Sequence, residues 1–496
     1  MKNLTDIIDI KTQVLLETAK HAFAGDLEDT WRSIPYDMLP GTKPQFRCCV
    51  YHERAIVKER VRLAMGQTPS DASSGVECEA QMVHVIPCAC EGCPITKITV
   101  TQNCRGCLAK KCVKACPFGA ISTSDGHAVI DKSKCRECGR CVSACPFGAI
   151  VDVERPCIRS CAVDAISIGD DNLAVIDTEK CVNCGHCVVG CPFGAISDIS
   201  MMTNVIRLIM NREHPIYAVV APSIEGQFSN AALPQIKDAI RALGFDDVIE
   251  AAYGADIVAY HESKELIERV SEGKKLTTSC CPAFVNLIQK HFPQISENVS
   301  TTVSPMVAAE RYIRVNHPEC HVVFIGPCIA KKKEVASLYS DEIDAALTFE
   351  ELHAMFLAKG ITFGESNQEA DDATKFGKGF AVSGGVTNAV EQVLAERDIQ
   401  QTIRCTKCTG AADCKKTLTL MKFGKLSEDF VEGMYCEGGC IGGPAKMEDV
   451  SKSRRFFEKR CADNEKENVT QNVIEKHGDQ PDVHRHEKTD NSKKGA

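Results

Sequence analysis

Cysteine spacing constrains this chain more than any other feature of its sequence. Thirty of the 496 residues are cysteine, and 17 of these lie between residues 81 and 200. Two stretches, CRECGRCVSACPFGAI at 135–150 and CVNCGHCVVGCPFGAI at 181–196, repeat the spacing C-x2-C-x2-C-x3-C-P. With this spacing three thiolates hold one 4Fe-4S cluster, and the fourth thiolate reaches a neighbouring cluster. The spacing therefore predicts iron–sulfur clusters rather than scattered structural thiols.

Length, charge and hydropathy exclude several other classes of protein. Disulfide scaffolds rich in cysteine are short secreted chains, and the N-terminus MKNLTDIIDIKTQVLLETAK has no secretory pattern. A net charge of −9 without a concentrated basic stripe argues against a nucleic-acid partner. No apolar run approaches the roughly 18 residues that a membrane span needs. We therefore expect a cytoplasmic chain, without a membrane partner, whose thiols bind metal in a reducing compartment.

The sequence predicts an α+β multidomain protein with four zones. Residues 1–80 form a helical N-terminal region, since apolar residues recur there at helical spacing. Residues 81–200 hold tandem 4Fe-4S modules that resemble ferredoxins. Residues 201–450 alternate apolar strand candidates with helical patterns, which is typical of an α/β domain. Residues 451–496 are polar and carry few large apolar side chains, which predicts a disordered tail.

The resemblance to bacterial ferredoxins assigns most of the cluster ligands, because the last cysteine of each run completes the set of the other run. A variant run, CRGCLAKKCVKACPFGAI at 104–121, pairs with the run at 135–150. The first two sets are Cys104, Cys107, Cys112 with Cys145, and Cys135, Cys138, Cys141 with Cys116. The third set is Cys181, Cys184, Cys187 with Cys161.

Two cysteines of the second module remain after this assignment. Cys157 and Cys191 are two ligands short of a further cluster. The upstream segment CACEGC offers Cys88, Cys90 and Cys93, but sequence does not show whether these lie near the other two. The sequence thus leaves three or four accessory 4Fe-4S clusters open.

Three further cysteine motifs follow the tandem modules. They are TSCCPAF at 278–284, GPCIAKKKE at 326–334 and EGMYCEGGCIGGP at 432–444. Together they resemble the signatures of the active-site domain of iron–iron (FeFe) hydrogenases, namely T-S-C-C-P, P-C-x-x-K-x-x-E and E-x-M-x-C-x-G-G-C-x-x-G-G. With the ferredoxin-like modules, the resemblance covers roughly residues 100–450.

The resemblance implies an H-cluster, a 4Fe-4S cubane joined to a diiron unit that carries CO, cyanide and an azadithiolate. By motif position, with the last residue as the bridge, its ligands are Cys281, Cys328, Cys436 and Cys440. The residues that the resemblance places around the diiron unit are Lys331, Pro222, Ser223 and Met434. The lysine would hydrogen-bond a cyanide ligand. Four soft thiolates from separated loops suit a buried cubane.

The resemblance gives the other cysteine of the TSCCPAF pair a different role. Cys280 matches the proton donor nearest the diiron unit, and a thiol suits this role because its pKa can be tuned. The implied relay continues through Glu262, Ser300, Glu265 and Arg269. The two glutamates and the arginine are spaced to share one helix face. Without the cysteine motifs, Glu265 and Arg269 would be read as a surface ion pair worth roughly 0.2–0.5 kcal/mol.

Four positions depart from the pattern of the well-studied hydrogenases. Gly326 stands where they have Met, Phe284 where they have Trp, Met306 where they have Gln, and Pro444 where they have a third Gly. These changes resemble the less-characterised branch often called group B. They lie beside the cluster ligands, where hydrogen bonding and potential are set, so we expect them to alter rate and catalytic bias.

A last cysteine group lies between the second and third motifs. CTKCTGAADC contributes Cys405, Cys408 and Cys414, which lack an evident fourth thiolate. The sequence favours structural or redox-labile cysteines here over a further metal site.

The resemblance implies the reaction 2H⁺ + 2e⁻ ⇌ H₂, with ferredoxin or a similar carrier as electron partner and maturation proteins that insert the H-cluster. The alternatives are a hydrogenase-like iron–sulfur assembly factor and a hydrogen sensor. An assembly factor is expected to lack Cys280, Lys331 or the relay acids, and all are present. A sensor is expected to carry a signalling domain, for which the polar tail is too short.

Overall fold

The computed structural model describes residues 6–70, 81–94, 96–228, 231–366, 372–399, 401–476 and 482–485. Within these ranges no helix combines the length and the apolar character needed to cross a bilayer. The fold is a mixture of helices and small sheets, as the sequence predicts.

The N-terminal region is helical, and its helices pack onto the rest of the chain. The first helix begins at the side chain of Asp6, which accepts a hydrogen bond from the Ile8 amide, and ends at Gly25 with φ +78°. Its apolar face, which includes Val14 and Ala19, belongs to the main hydrophobic core. The four helices are α1 Ile7–Ala24, α2 Leu27–Thr30, α3 Ile34–Met38 and α4 Val50–Ala64.

The cysteine-rich region consists of short strands and single-turn helices. Its strands are β1 Val83–Val85, β2 Ile98–Val100, β3 Ile121–Ser124, β4 His127–Ile130, β5 Ile150–Asp152, β6 Ile166–Ile168, β7 Ala174–Ile176 and β8 Ile196–Asp198. Its helices are α5 Lys111–Ala115, α6 Arg140–Ala144, α7 Pro156–Arg159 and α8 His186–Gly190. The strands form antiparallel pairs β1–β8, β2–β5, β3–β4 and β6–β7.

The remaining residues form the α/β region. Its strands are β9 Ile216–Val220, β10 Asp247–Glu250, β11 Leu276–Thr277, β12 His321–Ile325, β13 Ala345–Leu347, β14 Cys405–Thr409 and β15 Phe430–Met434. Its helices are α9 Met202–Asn211, α10 Leu233–Leu243, α11 Ala251–Ser271, α12 Pro282–His291, α13 Pro305–Asn316, α14 Ile329–Leu338, α15 Phe349–Lys359, α16 Lys375–Gly379, α17 Gly385–Glu396, α18 Ala411–Lys422, α19 Val450–Ala462 and α20 Val469–Lys476. Short 3₁₀ turns cover Pro87–Ala89, Pro222–Ile224, Pro293–Asn298 and Cys440–Gly442.

Two parallel sheets organise this region. One has the strand order β10–β9–β12–β13 and the other has the order β11–β15–β14. The strands β9, β12 and β15 are almost entirely buried, as expected for parallel sheets covered by helices. The cysteines of the three motifs follow the carboxyl ends of β11, β12 and β15, the edge at which open α/β sheets bind ligands.

The C-terminal residues differ from the prediction of disorder. Residues 450–476 contain α19 and α20. Within residues 482–485, His484 forms an antiparallel bridge with Thr302, shortly after the 3₁₀ turn Pro293–Asn298. The few apolar side chains of this segment include Phe457, Val469 and Val473, which are fully buried. Their burial stabilises the two helices although the segment as a whole is polar. The remaining predicted tail residues, 477–481 and 486–496, lie outside the described residues.

A buried ion cluster joins the ferredoxin-like and α/β regions. The Lys332 ammonium of α14 lies 2.7 Å from the Asp198 carboxylate at the end of β8 and 2.8 Å from the Glu351 carboxylate of α15. Lys11 of α1 reaches the same aspartate at 3.4 Å. Burial acts to raise the pKa of Asp198, but the charges of Lys332 and Lys11 outweigh it and hold this pKa below its usual range.

Removal of the central ammonium should loosen this junction. We expect Lys332→Ala to cost about 3–5 kcal/mol, because it leaves two buried carboxylates without their shared cation. Thermal unfolding of the cluster-loaded protein under anaerobic conditions measures the effect as a lower midpoint. Lys422→Ala, at an exposed helix end, is the control and should leave the midpoint almost unchanged. Equal midpoints for both variants would contradict the role of the ion cluster.

Candidate metal centre and proton path

Four cysteines from three loops meet where the carboxyl ends of the strands converge. Cys281 and Cys328 are the N-cap residues of α12 and α14, so each thiol stands at the positive end of a helix dipole. Cys436 follows β15, and Cys440 begins the short turn Cys440–Gly442. The local folding of each motif thus places one or two thiols at the same end of the two sheets.

Burial and mutual proximity make these thiols poor anions on their own. Burial first, and then the neighbouring Cys281, raise the pKa of Cys328 to about 12. Burial and the charges of Cys328 and Cys281 raise the pKa of Cys440 to about 12, and the same influences raise that of Cys436. Cys281, Cys328 and Cys440 stay partly exposed because they face an internal cavity. Such a set can ionise only when iron supplies the compensating positive charge.

Among the residues that the structure describes, no three Cys, His, Asp or Glu side chains are close enough to share one metal ion. A 4Fe-4S cubane would bind its four thiolates at four separate iron corners, and four thiols from three loops supply that number.

One glycine of the third motif is required by close backbone contact. Gly439 has φ +96°, and a Cβ there would lie 2.7 Å from the carbonyl oxygen of Ala381 and the amide of Ser383. Any other residue would push the Cys436–Cys440 loop away from the chain beneath it. The glycine therefore fixes the position of the two ligands on either side.

An apolar cavity of about 80 Å³ adjoins the thiols. Three of the four candidate ligands line it together with Cys280. The rest of its wall is mostly apolar and includes Ala251, Met306, Phe324, Phe380 and Met434. This cavity has the size and chemistry to receive a small non-protein group beside a cubane.

Three of the four residues predicted around the diiron unit line this cavity. Lys331, Pro222 and Met434 line it. The Lys331 ammonium also lies 2.7 Å from the Glu334 carboxylate, one helical turn away in the second motif. Ser223 does not line the cavity; it is fully buried next to Pro222, and its hydroxyl makes no hydrogen bond with the described residues.

Cys280 and Glu262 lie side by side at the inner end of the predicted relay. Both are buried, with 9% and 1% of their surface exposed. Burial, then the charges of Glu262 and Cys281, raise the pKa of Cys280 well above its usual value. Burial raises the pKa of Glu262 to about 8, and a contact with the Ser300 hydroxyl partly offsets this. Neither oxygen of Glu262 makes a well-aligned hydrogen bond with the part of the chain that the structure describes, so the carboxyl can still donate and accept there.

The outer part of the relay is continuous. The Ser300 hydroxyl donates to the Glu265 carboxylate at 2.8 Å. The Arg269 guanidinium lies 3.8 Å from the same carboxylate, and Arg269 also donates to the Glu297 carbonyl at 3.0 Å. All three charged relay residues lie on α11, as the spacing predicts. The chain of side chains thus runs from the cavity towards the surface.

Two residues near the path carry no role in the sequence analysis. Glu432, which is fully buried at the head of the third motif, accepts hydrogen bonds from the amides of Gly384 and Thr387 at 2.6 and 2.8 Å. Arg485 donates to the carbonyls of Ser279 and Thr302 at 3.1 and 3.2 Å. The motif position could have pointed to Glu432, whereas no local pattern indicates Arg485.

The three predicted accessory sets are each brought together. Cys104, Cys107, Cys112 and Cys145 line one small pocket. The pKa of Cys141 is raised by burial and by its neighbours Cys135, Cys116 and Cys138. In the third set, burial and then Cys181 and Cys161 raise the pKa of Cys184 to about 12, and Cys187 has the same neighbours.

The third set lies against the candidate metal centre. Gly185, between two of its ligands, has φ +78°, and a Cβ there would lie 2.6 Å from Ile329 and 3.0 Å from Pro444. The rings of His186 and Tyr435 are 5.5 Å apart, and Tyr435 precedes a ligand of the third motif. The Gly185 backbone and the His186 ring therefore contact side chains of the α/β region between the two thiol sets.

The cysteines of CTKCTGAADC do not form a common site. Cys408 and Cys414 are buried near each other, and the Cys414 thiol contacts the Met434 carbonyl at 3.6 Å. Cys405 faces Glu391 instead. This separation agrees with the structural interpretation of these residues.

The raised pKa of Glu262 has a measurable consequence. With a native pKa of about 8 against 4.5 for a free carboxyl, the folded chain keeps a proton that the unfolded chain releases. The contribution of Glu262 to the free energy of unfolding therefore decreases as the pH rises from about 4.5 to 8. We expect an infrared carboxylic-acid band at pH 7 that fades near pH 8 and is missing in the difference spectrum of Glu262→Gln. An unchanged spectrum in that variant would refute the assignment.

Comparisons with known proteins find similarity in both the ferredoxin-like and the α/β regions. The family model for the C-terminal domain of the iron-only hydrogenase large subunit matches residues 214–444. Models for a 4Fe-4S dicluster domain and for the LdpA Fe-S cluster-binding domain match residues 103–149 and 151–202. A structure of FeFe-hydrogenase HydA, solved in a study of stepwise H-cluster assembly, covers 54% of this chain and 91% of its own, at 21% identity and a TM-score of 0.44.

Curated relatives fall into two functional classes. Iron hydrogenase 1 of Clostridium pasteurianum is 26% identical over 298 residues, which are 49% of this chain and 52% of that protein. The cytosolic Fe-S cluster assembly factor NAR1 of Kluyveromyces lactis is 24% identical over 282 residues, 42% of this chain and 60% of that protein. The chain thus spans between half and two thirds of these relatives. Residues 214–444 match the iron-only hydrogenase large-subunit family model, so the chain is FeFe-hydrogenase-like over this region.

Proposed function

We propose that the chain is an FeFe hydrogenase that interconverts protons and hydrogen, 2H⁺ + 2e⁻ ⇌ H₂. The observation that carries this proposal is the cavity wall, where a second thiol, Cys280, stands beside the cubane thiols and within the electrostatic influence of Glu262. A cubane that only stores or passes electrons needs no proton donor at its side. The presence of every predicted relay residue from Cys280 outward therefore favours hydrogen chemistry over cluster assembly.

The donor set fits the H-cluster that the family implies. Cys281, Cys328, Cys436 and Cys440 would hold the cubane, and the cavity beside them would hold the diiron unit. When bound, this group supplies the redox chemistry of hydrogen. Lys331 would present its ammonium to an anionic ligand in the cavity, while the apolar wall excludes water.

The side chains of the relay would move protons between the cavity and solvent. Cys280 is neutral in its buried environment, so its thiol hydrogen is available for donation. Glu262, neutral below about pH 8, can reprotonate it through its free carboxyl oxygens. Ser300 then lies between Glu262 and Glu265, and the Arg269 guanidinium lies beside the outer carboxylate at the surface end.

Electrons would enter or leave through the accessory clusters. Between residues 104 and 140 the chain carries eight basic and three acidic residues, although its net charge is −9. The basic side chains are exposed, and so are Leu108, Phe118 and Phe147 around the cluster sites. A basic surface with an apolar centre fits an acidic carrier such as a ferredoxin.

This surface gives a test of the electron partner. We expect the triple variant Lys110→Glu, Lys111→Glu and Lys114→Glu to slow electron exchange with reduced ferredoxin about tenfold, because electrostatic steering governs the encounter. Activity with methyl viologen, a small cationic dye, should stay within about twofold and serves as the control. An unchanged rate with ferredoxin would contradict this docking surface.

Infrared spectroscopy and turnover of the maturase-loaded protein test the function itself. We expect CO and cyanide bands and hydrogen production in the wild type. Cys280→Ala should keep the bands and lose activity by at least about 10²-fold, as for loss of a general acid. Cys320→Ala, a buried thiol far from the cavity lining, should keep both properties.

The same measurements identify the alternatives. A fully iron-loaded wild type without CO or cyanide bands would exclude the hydrogenase and favour an assembly factor. Bands with very slow turnover in the wild type would favour a hydrogen sensor. Full activity of Cys280→Ala would contradict the proton-donor role.

A further inference from the structure

The first ferredoxin-like module shows a set of contacts that defines its fold. Strand β2 pairs with β5, and β3 forms a hairpin with β4. The Thr101 amide donates to the Ala149 carbonyl at 2.8 Å, and the Asp131 amide donates to the Ala120 carbonyl at 2.8 Å. The first and last strands thereby close around two cysteine sets.

The second module repeats these contacts, but its first strand lies far upstream. Strand β1 pairs with β8, and β6 forms a hairpin with β7. The Ile86 amide donates to the Ala195 carbonyl at 2.7 Å, and the Asp177 amide donates to the Ala165 carbonyl at 2.8 Å. Residues 83–93 are therefore the opening segment of the second module, and residues 94–156 interrupt it.

The cysteines of the two modules correspond once this interruption is recognised. Cys104 and Cys107 have the spacing C-x2-C after β2, and the same spacing recurs after β1. Cys112 and Cys116 have the spacing C-x3-C, and the same spacing recurs in RPCIRSC. The counterparts of Cys104, Cys107, Cys112 and Cys145 in the second module are Cys90, Cys93, Cys157 and Cys191.

Hydrogen bonds to sulfur support this correspondence. In the first module the Ala128 amide donates to Cys104 Sγ at 3.3 Å. In the second module the Ala174 amide donates to Cys90 Sγ at 3.4 Å. Ala128 lies seven residues before Cys135, and Ala174 lies seven residues before Cys181. Cys90 thus accepts the same bond at the same place in the fold.

The four thiols lie together in a buried environment that contains a positively charged arginine side chain. Cys157 and Cys191 are buried in one apolar cluster with Cys90 packed against them. Burial and then Cys191, Cys93 and Cys90 raise the pKa of Cys157 to about 11. Beside Cys93 lies Arg155, which is 4% exposed and whose Nε and Nη1 have no hydrogen-bond partner among the described residues. The sulfide and thiolate acceptors of a cluster would satisfy these buried donors.

We propose that Cys90, Cys93, Cys157 and Cys191 hold a fourth accessory 4Fe-4S cluster in a ferredoxin-like module that is split by the first one. Cys88, the remaining thiol of CACEGC, is not a ligand. Both ends of the inserted segment join the fourth cluster directly, because residue 94 follows Cys93 and residue 156 precedes Cys157. The fourth cluster therefore lies between the inserted module and the cluster next to the metal centre.

Iron analysis of matched cysteine variants tests this ligand set. Each full-length protein is produced without maturases and reconstituted anaerobically. We expect the double variant Cys90→Ala and Cys93→Ala to lose about four irons and about four sulfides per chain. Cys88→Ala, in the same segment, should keep the wild-type content. Full iron content in the double variant, or the same loss in Cys88→Ala, would overturn the proposal.

A native mass spectrum of the wild-type protein provides a measurement that does not depend on the folding of a variant. It should show one 4Fe-4S mass more than the three assigned accessory sets and the cubane account for. Absence of that mass in otherwise fully loaded protein would overturn the proposal. Neither measurement involves the diiron unit, so the result is independent of the proposed hydrogen chemistry.

Discussion

The burial of four thiols beside one another is the constraint on which this structure depends. Burial raises the pKa values of Cys281, Cys328, Cys436 and Cys440, and neighbouring thiols raise those of the last three further. They cannot ionise together without iron, so the energetic reason for their convergence lies in a group that the amino acids do not supply. The two parallel sheets bring the three loops to one edge, and the helix N-termini at two of the cysteines favour the thiolate form.

The neighbouring Cys280 must keep its proton, whereas Cys281 must lose its proton to bind iron. The fold provides both environments at adjacent residues. Cys281 caps α12 and belongs to the candidate ligand set, whereas Cys280 lies at a bend just before the helix, where the charge of the buried Glu262 raises its pKa. Burial keeps this thiol and this carboxyl neutral at pH values at which an exposed glutamate is ionised. The same apolar environment therefore prevents Cys281 from ionising without iron and keeps the proton on Cys280.

Sequence predicts the cysteine sets well because their spacing is short and local. The ligand runs, the relay spacing on α11 and the strand that precedes each motif all follow from contiguous residues. Contacts between distant segments are not encoded in this way. Other features depend on tertiary packing: the burial of Phe457 and Val469, the hydrogen bond from Arg485 to the Ser279 carbonyl, and the pairing of β1 with β8. For this reason the polar composition of the C-terminal residues predicted disorder, and local cysteine spacing left the number of accessory clusters open. The assignment to the group B branch stays a prediction.

The split module shows how long-range pairing can complete a site that local spacing leaves unfinished. A ferredoxin-like fold is closed by its first and last strands, so an insertion between the second and third cysteines leaves the closure intact as long as β1 still reaches β8. The insertion points flank Cys93 and Cys157, where the chain already passes close to itself. A second cluster-binding module inserted there is attached at a cluster rather than at a remote loop. With the proposed fourth cluster, electrons that enter through the basic inserted module would meet a cluster at its point of attachment. The next thiol set lies against the candidate metal centre, with Gly185 and Tyr435 at the contact.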